Sequence, residues 1–187
     1  MANFLTIGRI LLIIPFVLAF TTNASWNLKA AFVIFAIASL TDLADGWVAR
    51  TRGEVSVLGA ALDPLADKLL AVAALVLLMR NGVIRDASVL AALIIILREL
   101  LVSGLREAVA LAGGKLKVTG LAKWKTAVQL ISIGLLLAAA PTGFIGLSAL
   151  DWGLAALWVA ALLTFWTGAD YAVKSYRFLR AQPAPKD

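Results

Sequence analysis

Four aspartates interrupt long apolar stretches of this chain: Asp42, Asp45, Asp63 and Asp67. The first two are three residues apart and the last two are four apart, so on helices each pair projects from one face. On insertion scales a carboxylate at the centre of a bilayer costs about 2.5–3.5 kcal/mol. Four bare ones would cost roughly 10–14 kcal/mol, comparable to the stability of a whole domain. They must therefore face a wet crevice near the interface or be held by something cationic. The segment between the pairs reverses the chain, which lets both point into one crevice. Asp42 lies about 12 Å along its helix from Arg50, a depth that water and a headgroup reach. The chain has no cysteine and no histidine, so it has no thiol nucleophile, zinc–sulfur site or imidazole proton shuttle. Four converging carboxylates make a hard oxygen cage suited to Mg²⁺ or Mn²⁺ and not to zinc.

The neighbouring residues suit a phosphate ligand. Gly46 and Gly59 leave backbone bare for close approach, and Arg50 offers a planar fork to phosphate oxygens. Pro64 would kink its helix and open space beside Asp63. The competing reading is structural: Lys68, Arg98 or Arg50 partners the acids, and the glycines serve helix packing.

The elements that must position these residues follow from hydropathy. Of 187 residues, 62% are apolar and 15% charged. A soluble domain of this size could not hide so much apolar surface. The composition excludes a soluble enzyme, a disordered tail and a nucleic-acid-binding domain. The net charge of +6 then fits anionic headgroups or a phosphorylated substrate, with no nucleic acid as partner. About 20 apolar residues cross a bilayer as helix. Six such spans are predicted: Phe4–Phe20, Leu28–Val48, Val57–Met79, Ala87–Ala112, Lys123–Ala140 and Trp152–Tyr176. Arg80-Asn81-Gly82, Gly113-Gly114 and Pro141-Thr142-Gly143 supply the turn chemistry between them. The first span has no basic leader or clear cleavage site and is expected to be retained.

Twelve Lys and Arg flank one set of span ends and three the other, with Lys68 and Arg98 inside spans. By the positive-inside rule both termini are cytoplasmic. The expected fold class is all-α: a polytopic membrane protein with six transmembrane helices. No composition shift marks a boundary, so residues 1–180 are expected to form a single transmembrane catalytic domain, with 181–187 a frayed tail. Intramembrane carboxylates also mark transport pathways, but no second copy of the acidic motif suggests the repeats of a transporter.

Written out, the motif is Asp42-x-x-Asp45-Gly46-x-x-Ala49-Arg50, eight residues, then Gly59-x-x-x-Asp63-x-x-x-Asp67. It resembles the signature of the CDP-alcohol phosphatidyltransferase family at every fixed position and interval. Members transfer a phosphatidyl group from CDP-diacylglycerol to an alcohol and release CMP with a divalent metal. The resemblance implies that Asp42, Asp45, Asp63 and Asp67 ligate a two-metal site holding Mg²⁺ or Mn²⁺. It also implies that Asp67 is the base for the acceptor hydroxyl, and that Gly46, Ala49, Arg50 and Gly59 line the CDP pocket. Asn3, Thr6 and Arg9 resemble a segment that helps cover the nucleotide, although Arg9 would serve equally as an interfacial anchor.

The second half should choose the alcohol. Arg98–Glu107 places Glu99 and Arg106 on one helix face, and Lys125 and Gln129 sit four apart at the start of the fifth span. Both segments resemble bacterial family members whose acceptor is sn-glycerol 3-phosphate. Arg106, Lys123 and Lys125 would bind the acceptor phosphate, which free glycerol, serine or inositol would not require. The positive-inside bias alone would also put lysines there. Ala122 departs from the pattern, which has Gly before Lys-x-Lys-Thr. The resemblance further implies a homodimer in the bacterial cytoplasmic (inner) membrane, with its site facing the cytoplasm and membrane lipids as partners. The rival within the family is a cardiolipin-forming enzyme whose acceptor is phosphatidylglycerol.

Overall fold

Without water, a backbone must satisfy its own polar groups, and apolar runs of this length do so by coiling into helices. The computed structural model describes residues 2–21, 27–52, 57–114, 116, 121–139 and 147–181, with side chains at 8, 10–21, 27–41, 68–114, 116, 124–139 and 149–181. Among the described residues there are six helices and no strand: α1 (Ala2–Ala19), α2 (Asn27–Arg52), α3 (Val57–Arg80), α4 (Ser88–Leu111), α5 (Leu121–Ala139) and α6 (Leu147–Arg180). Each coincides with one expected span. The expected turn at Pro141–Gly143 and the tail beyond Ala181 lie outside the described residues.

Two helix ends show how local sequence sets the breaks. After α3, Gly82 takes φ +70°, its N–H donates to Met79 O at 3.1 Å, and the Val83 N–H donates to Leu78 O at 3.0 Å. After α4, Gly113 takes φ +75°, with Gly113 N–H to Ala110 O at 2.9 Å and Gly114 N–H to Val109 O at 2.8 Å. Both are Schellman closures, in which a left-handed residue satisfies carbonyls the helix would leave bare. Glycine reaches that conformation without a Cβ penalty.

Helices α2 and α3 both pack on α1, α5 packs on α2 and along α6, and α4 packs along α6. Phe16 stands at the α1–α2 contact, edge-on to Phe20 at 5.4 Å and tilted against Phe35 at 6.3 Å between ring centroids. The buried core continues through Ala74, Leu75 and Leu78 of α3, Ile95 of α4, Leu136 and Leu137 of α5, and Leu157 of α6. Alanines dominate several contacts, which brings helix axes close. The outer surface is apolar as well: Leu90, Leu93, Leu97, Leu100 and Leu101 of α4 and Leu162, Phe165 and Trp166 of α6 are all exposed. Helix α4 and the Ala149–Arg180 stretch are long and apolar enough to cross a membrane.

Helix α6 departs from expectation in length. It has 34 residues where the apolar run suggested Trp152–Tyr176. At 1.5 Å per residue it is about 51 Å long, against a hydrocarbon core of about 30 Å. The C-terminal extension carries Arg177 and Arg180 in its last turn. It also packs inward, because a Cβ on Gly114 would overlap the Phe178 ring.

Candidate active site

Helices α2 and α3 touch, and only four residues join them. Asp42 lies ten positions before the end of α2 at Arg52, and Asp67 ten positions after the start of α3 at Val57. Each is therefore about 15 Å from its helix end. Asp45 and Asp63 fall one turn nearer to those ends. All four aspartate positions thus lie within about ten residues of the segment that joins the two helices. Gly46, Ala49 and Arg50 sit on the last turns of α2, Gly59 on the first turn of α3, and Asn3, Thr6 and Arg9 on the first turns of α1. The side chains of these residues, of the four aspartates and of Lys123 lie outside the described residues. Helix α3 runs unbroken through Pro64.

The structure also holds a buried polar cluster. Glu99 is only 8% exposed, and its Oε1 accepts from the Lys125 ammonium, joining α4 to α5. Arg98 Nη1 reaches the same oxygen at 3.4 Å, while its Nη2 donates to Thr167 Oγ1 on α6 at 3.2 Å. Ser103 Oγ donates to the Glu99 carbonyl at 2.7 Å and accepts from the Lys68 ammonium of α3. Side chains of four helices thus join one network around Glu99, with Lys125 and Arg98 on its carboxylate and Ser103 on its main-chain carbonyl. The arrangement is high in stakes: removing one partner of a buried pair costs about 3–5 kcal/mol, because the other charge is left without compensation.

Small residues make room for it. A Cβ on Gly168 would lie 2.6 Å from Arg98 Cγ, so the arginine stem runs across a bare patch of α6. Among the described residues the buried Arg98 Nε has no hydrogen-bond partner. Lys125 and Gln129 are both 5% exposed, which confirms the shared face that their spacing predicts. Arg106 is exposed near the end of α4. Helix α5 starts at Leu121, two positions before the expected Lys123, which puts Ala122 in its first turn. Alanine there favours helix over the glycine of the usual pattern.

Sequence reasoning placed Lys125 at the acceptor phosphate and Glu99 on one helix face with Arg106, but it did not find the Glu99–Lys125 pair. It also missed Thr167 and Gly168. The signal for those two was the small-residue run Thr167-Gly168-Ala169 inside an apolar helix, the usual mark of close helix approach in membranes.

This chain thus carries paired aspartate positions on two touching helices, with a buried cationic cluster that reaches α3 at Lys68. It belongs to the CDP-alcohol phosphatidyltransferase family, whose model matches residues 1–166. It is similar to the CDP-diacylglycerol–glycerol-3-phosphate 3-phosphatidyltransferase of Rickettsia felis, at 40% identity over 93% of this chain and 95% of that one. The protein of the same name from Haemophilus influenzae is 38% identical over 90% of this chain and 89% of its own. CDP-diacylglycerol–glycerol-3-phosphate 3-phosphatidyltransferase 2 of Arabidopsis thaliana is 37% identical over 94% and 79%.

Proposed function

We propose that this protein transfers the phosphatidyl group of CDP-diacylglycerol to sn-glycerol 3-phosphate, giving phosphatidylglycerophosphate and CMP. The observation that carries this reading is the end-to-end likeness to relatives named for that reaction. The acceptor hydroxyl oxygen attacks the β-phosphorus, the bond to the CMP phosphate breaks, and the hydroxyl proton passes to Asp67. Asp42, Asp45, Asp63 and Asp67 would hold two Mg²⁺ or Mn²⁺ ions. The donor set fits these ions: four hard carboxylates on two touching helices, in a chain without histidine or cysteine. When bound, such a pair neutralises phosphate oxygens and stabilises the leaving phosphate.

The chain's own residues supply the rest. Gly46, Ala49, Arg50 and Gly59 line the CDP pocket, and Asn3, Thr6 and Arg9 close over the nucleotide. Arg106, Lys123 and Lys125 take the acceptor phosphate, with the positive charges of Arg98 and Lys68 in the same cluster. Residues 1–180 form one transmembrane domain in this reading, with six spans and both termini cytoplasmic. The exposed leucines of α4 and the basic end of α6 support that placement. A homodimer in the bacterial cytoplasmic membrane, with the site at the cytoplasmic surface, completes the proposal.

The test uses purified protein in vesicles containing CDP-diacylglycerol, with labelled acceptors added one at a time. CMP release with glycerol 3-phosphate, and little with glycerol, serine, inositol phosphate or phosphatidylglycerol, supports the proposal. Preference for phosphatidylglycerol would make it a cardiolipin-forming enzyme.

A further inference from the structure

Glu99 is a buried acid that neither the metal site nor the nucleotide pocket uses. It lies about 18 Å from the end of α4, close to the depth of Asp42 and Asp67 on their own helices. Its main-chain carbonyl accepts from Ser103, which in turn accepts from Lys68, the residue that follows Asp67 in α3. A lysine as buried as Lys125, at 5% exposure, keeps its charge and its place only with a counter-charge. Glu99 supplies it. An ammonium has three donors, and the one given to Glu99 orients the other two. Arg98 and Lys125 together outweigh the single carboxylate by one positive charge, and Arg106 lies within electrostatic reach of Arg98. A buried cluster with surplus positive charge, linked to α3 at Lys68, suits a small phosphate monoester.

We propose that Glu99 is a positioning residue which, by holding Lys125, sets the affinity for the phosphorylated acceptor and leaves that for the nucleotide lipid unchanged. This rests on the acceptor being glycerol 3-phosphate. Glu99 touches no reacting atom and acts through Lys125. Without it, the buried ammonium either swings toward water or loses its proton, and in both cases the acceptor phosphate loses its partner.

The experiment measures KM for glycerol 3-phosphate and for CDP-diacylglycerol separately, in vesicles, for wild type and variants. Glu99→Gln is expected to raise the glycerol 3-phosphate KM by about tenfold or more, with the CDP-diacylglycerol KM within about twofold of wild type. Glu99→Asp falls between them. Equal increases in both constants, an unchanged glycerol 3-phosphate KM, or a fall in it would overturn the proposal. A fall would mean that the carboxylate only repels the phosphate. Should Glu99→Gln fail to fold, Glu99→Gln/Lys125→Met removes both charges together, the change that buried pairs tolerate best. Its glycerol 3-phosphate KM should equal that of Lys125→Met. A further rise beyond about threefold, or a wild-type value, contradicts action through Lys125. If wild type releases CMP only with another acceptor, the functional reading itself fails, before any variant is compared.

Discussion

Two glycines on adjoining helices should respond oppositely to the same substitution. Gly153 of α6 lies against α5, where an added Cβ would stand 2.9 Å from Leu136 Cδ2, 3.0 Å from its Cγ and 3.2 Å from its backbone nitrogen. Leu136 is fully buried and has nowhere to go, and the backbone nitrogen cannot move without the helix. Beside this contact Ser132 Oγ donates to the Gly153 carbonyl at 2.9 Å, so separating the helices also stretches a buried hydrogen bond. Overpacking of this kind costs about 1–3 kcal/mol, and an interhelical bond in a membrane is worth roughly 0.6. Gly134, also in α5, has nothing within 4 Å of where its Cβ would be. There alanine only removes the conformational freedom of glycine, a gain of up to about 1 kcal/mol. Gly153→Ala is therefore expected to destabilise by about 1–2 kcal/mol net, and Gly134→Ala to be neutral or stabilising. Reversible unfolding in mixed detergent–lipid micelles reads both. Shifts of the same sign and size would show that α5 and α6 are not in this contact.

Three further outcomes follow from the site and its supports. Asp67→Asn should lower kcat by about 10²–10⁴-fold while CDP binding, followed by calorimetry, stays close to wild type; near-normal turnover removes the base role. Arg106→Ala should raise the KM for glycerol 3-phosphate far more than that for CDP-diacylglycerol, and equal effects would take it out of the acceptor site. Gly113→Ala forces a side chain into the left-handed closure of α4 at φ +75°, and should cost about 1 kcal/mol in the same unfolding assay. No loss would mean that the closure relaxes without it.

Features with local causes were legible in the sequence. The Asn81-Gly82 and Gly113-Gly114 breaks rest on backbone chemistry within a few residues, and the structure ends α3 and α4 there. The positions of the six helices followed from runs of apolar residues. The end of α6 did not, because hydropathy registers only the apolar run, whereas the helix continues past Tyr176 with Phe178 packed at Gly114. The aspartate motif could be read from spacing because each pair lies within one turn of one helix. The Glu99–Lys125 pair could not, since 26 residues separate its members and only the packing of α4 and α5 around α6 brings them together. Spacing puts Glu99 and Arg106 on one face of α4, where Arg106 is exposed near the end of the helix.

The central claim is that α2 and α3 aim their aspartates at a shared pair of ions, and Mn²⁺ electron paramagnetic resonance on the protein in vesicles tests it directly. Two bound ions with a spin-coupled spectrum, lost in Asp42→Asn and Asp63→Asn alike, are expected. A spectrum of isolated Mn²⁺, or one that either variant leaves intact, would contradict the account.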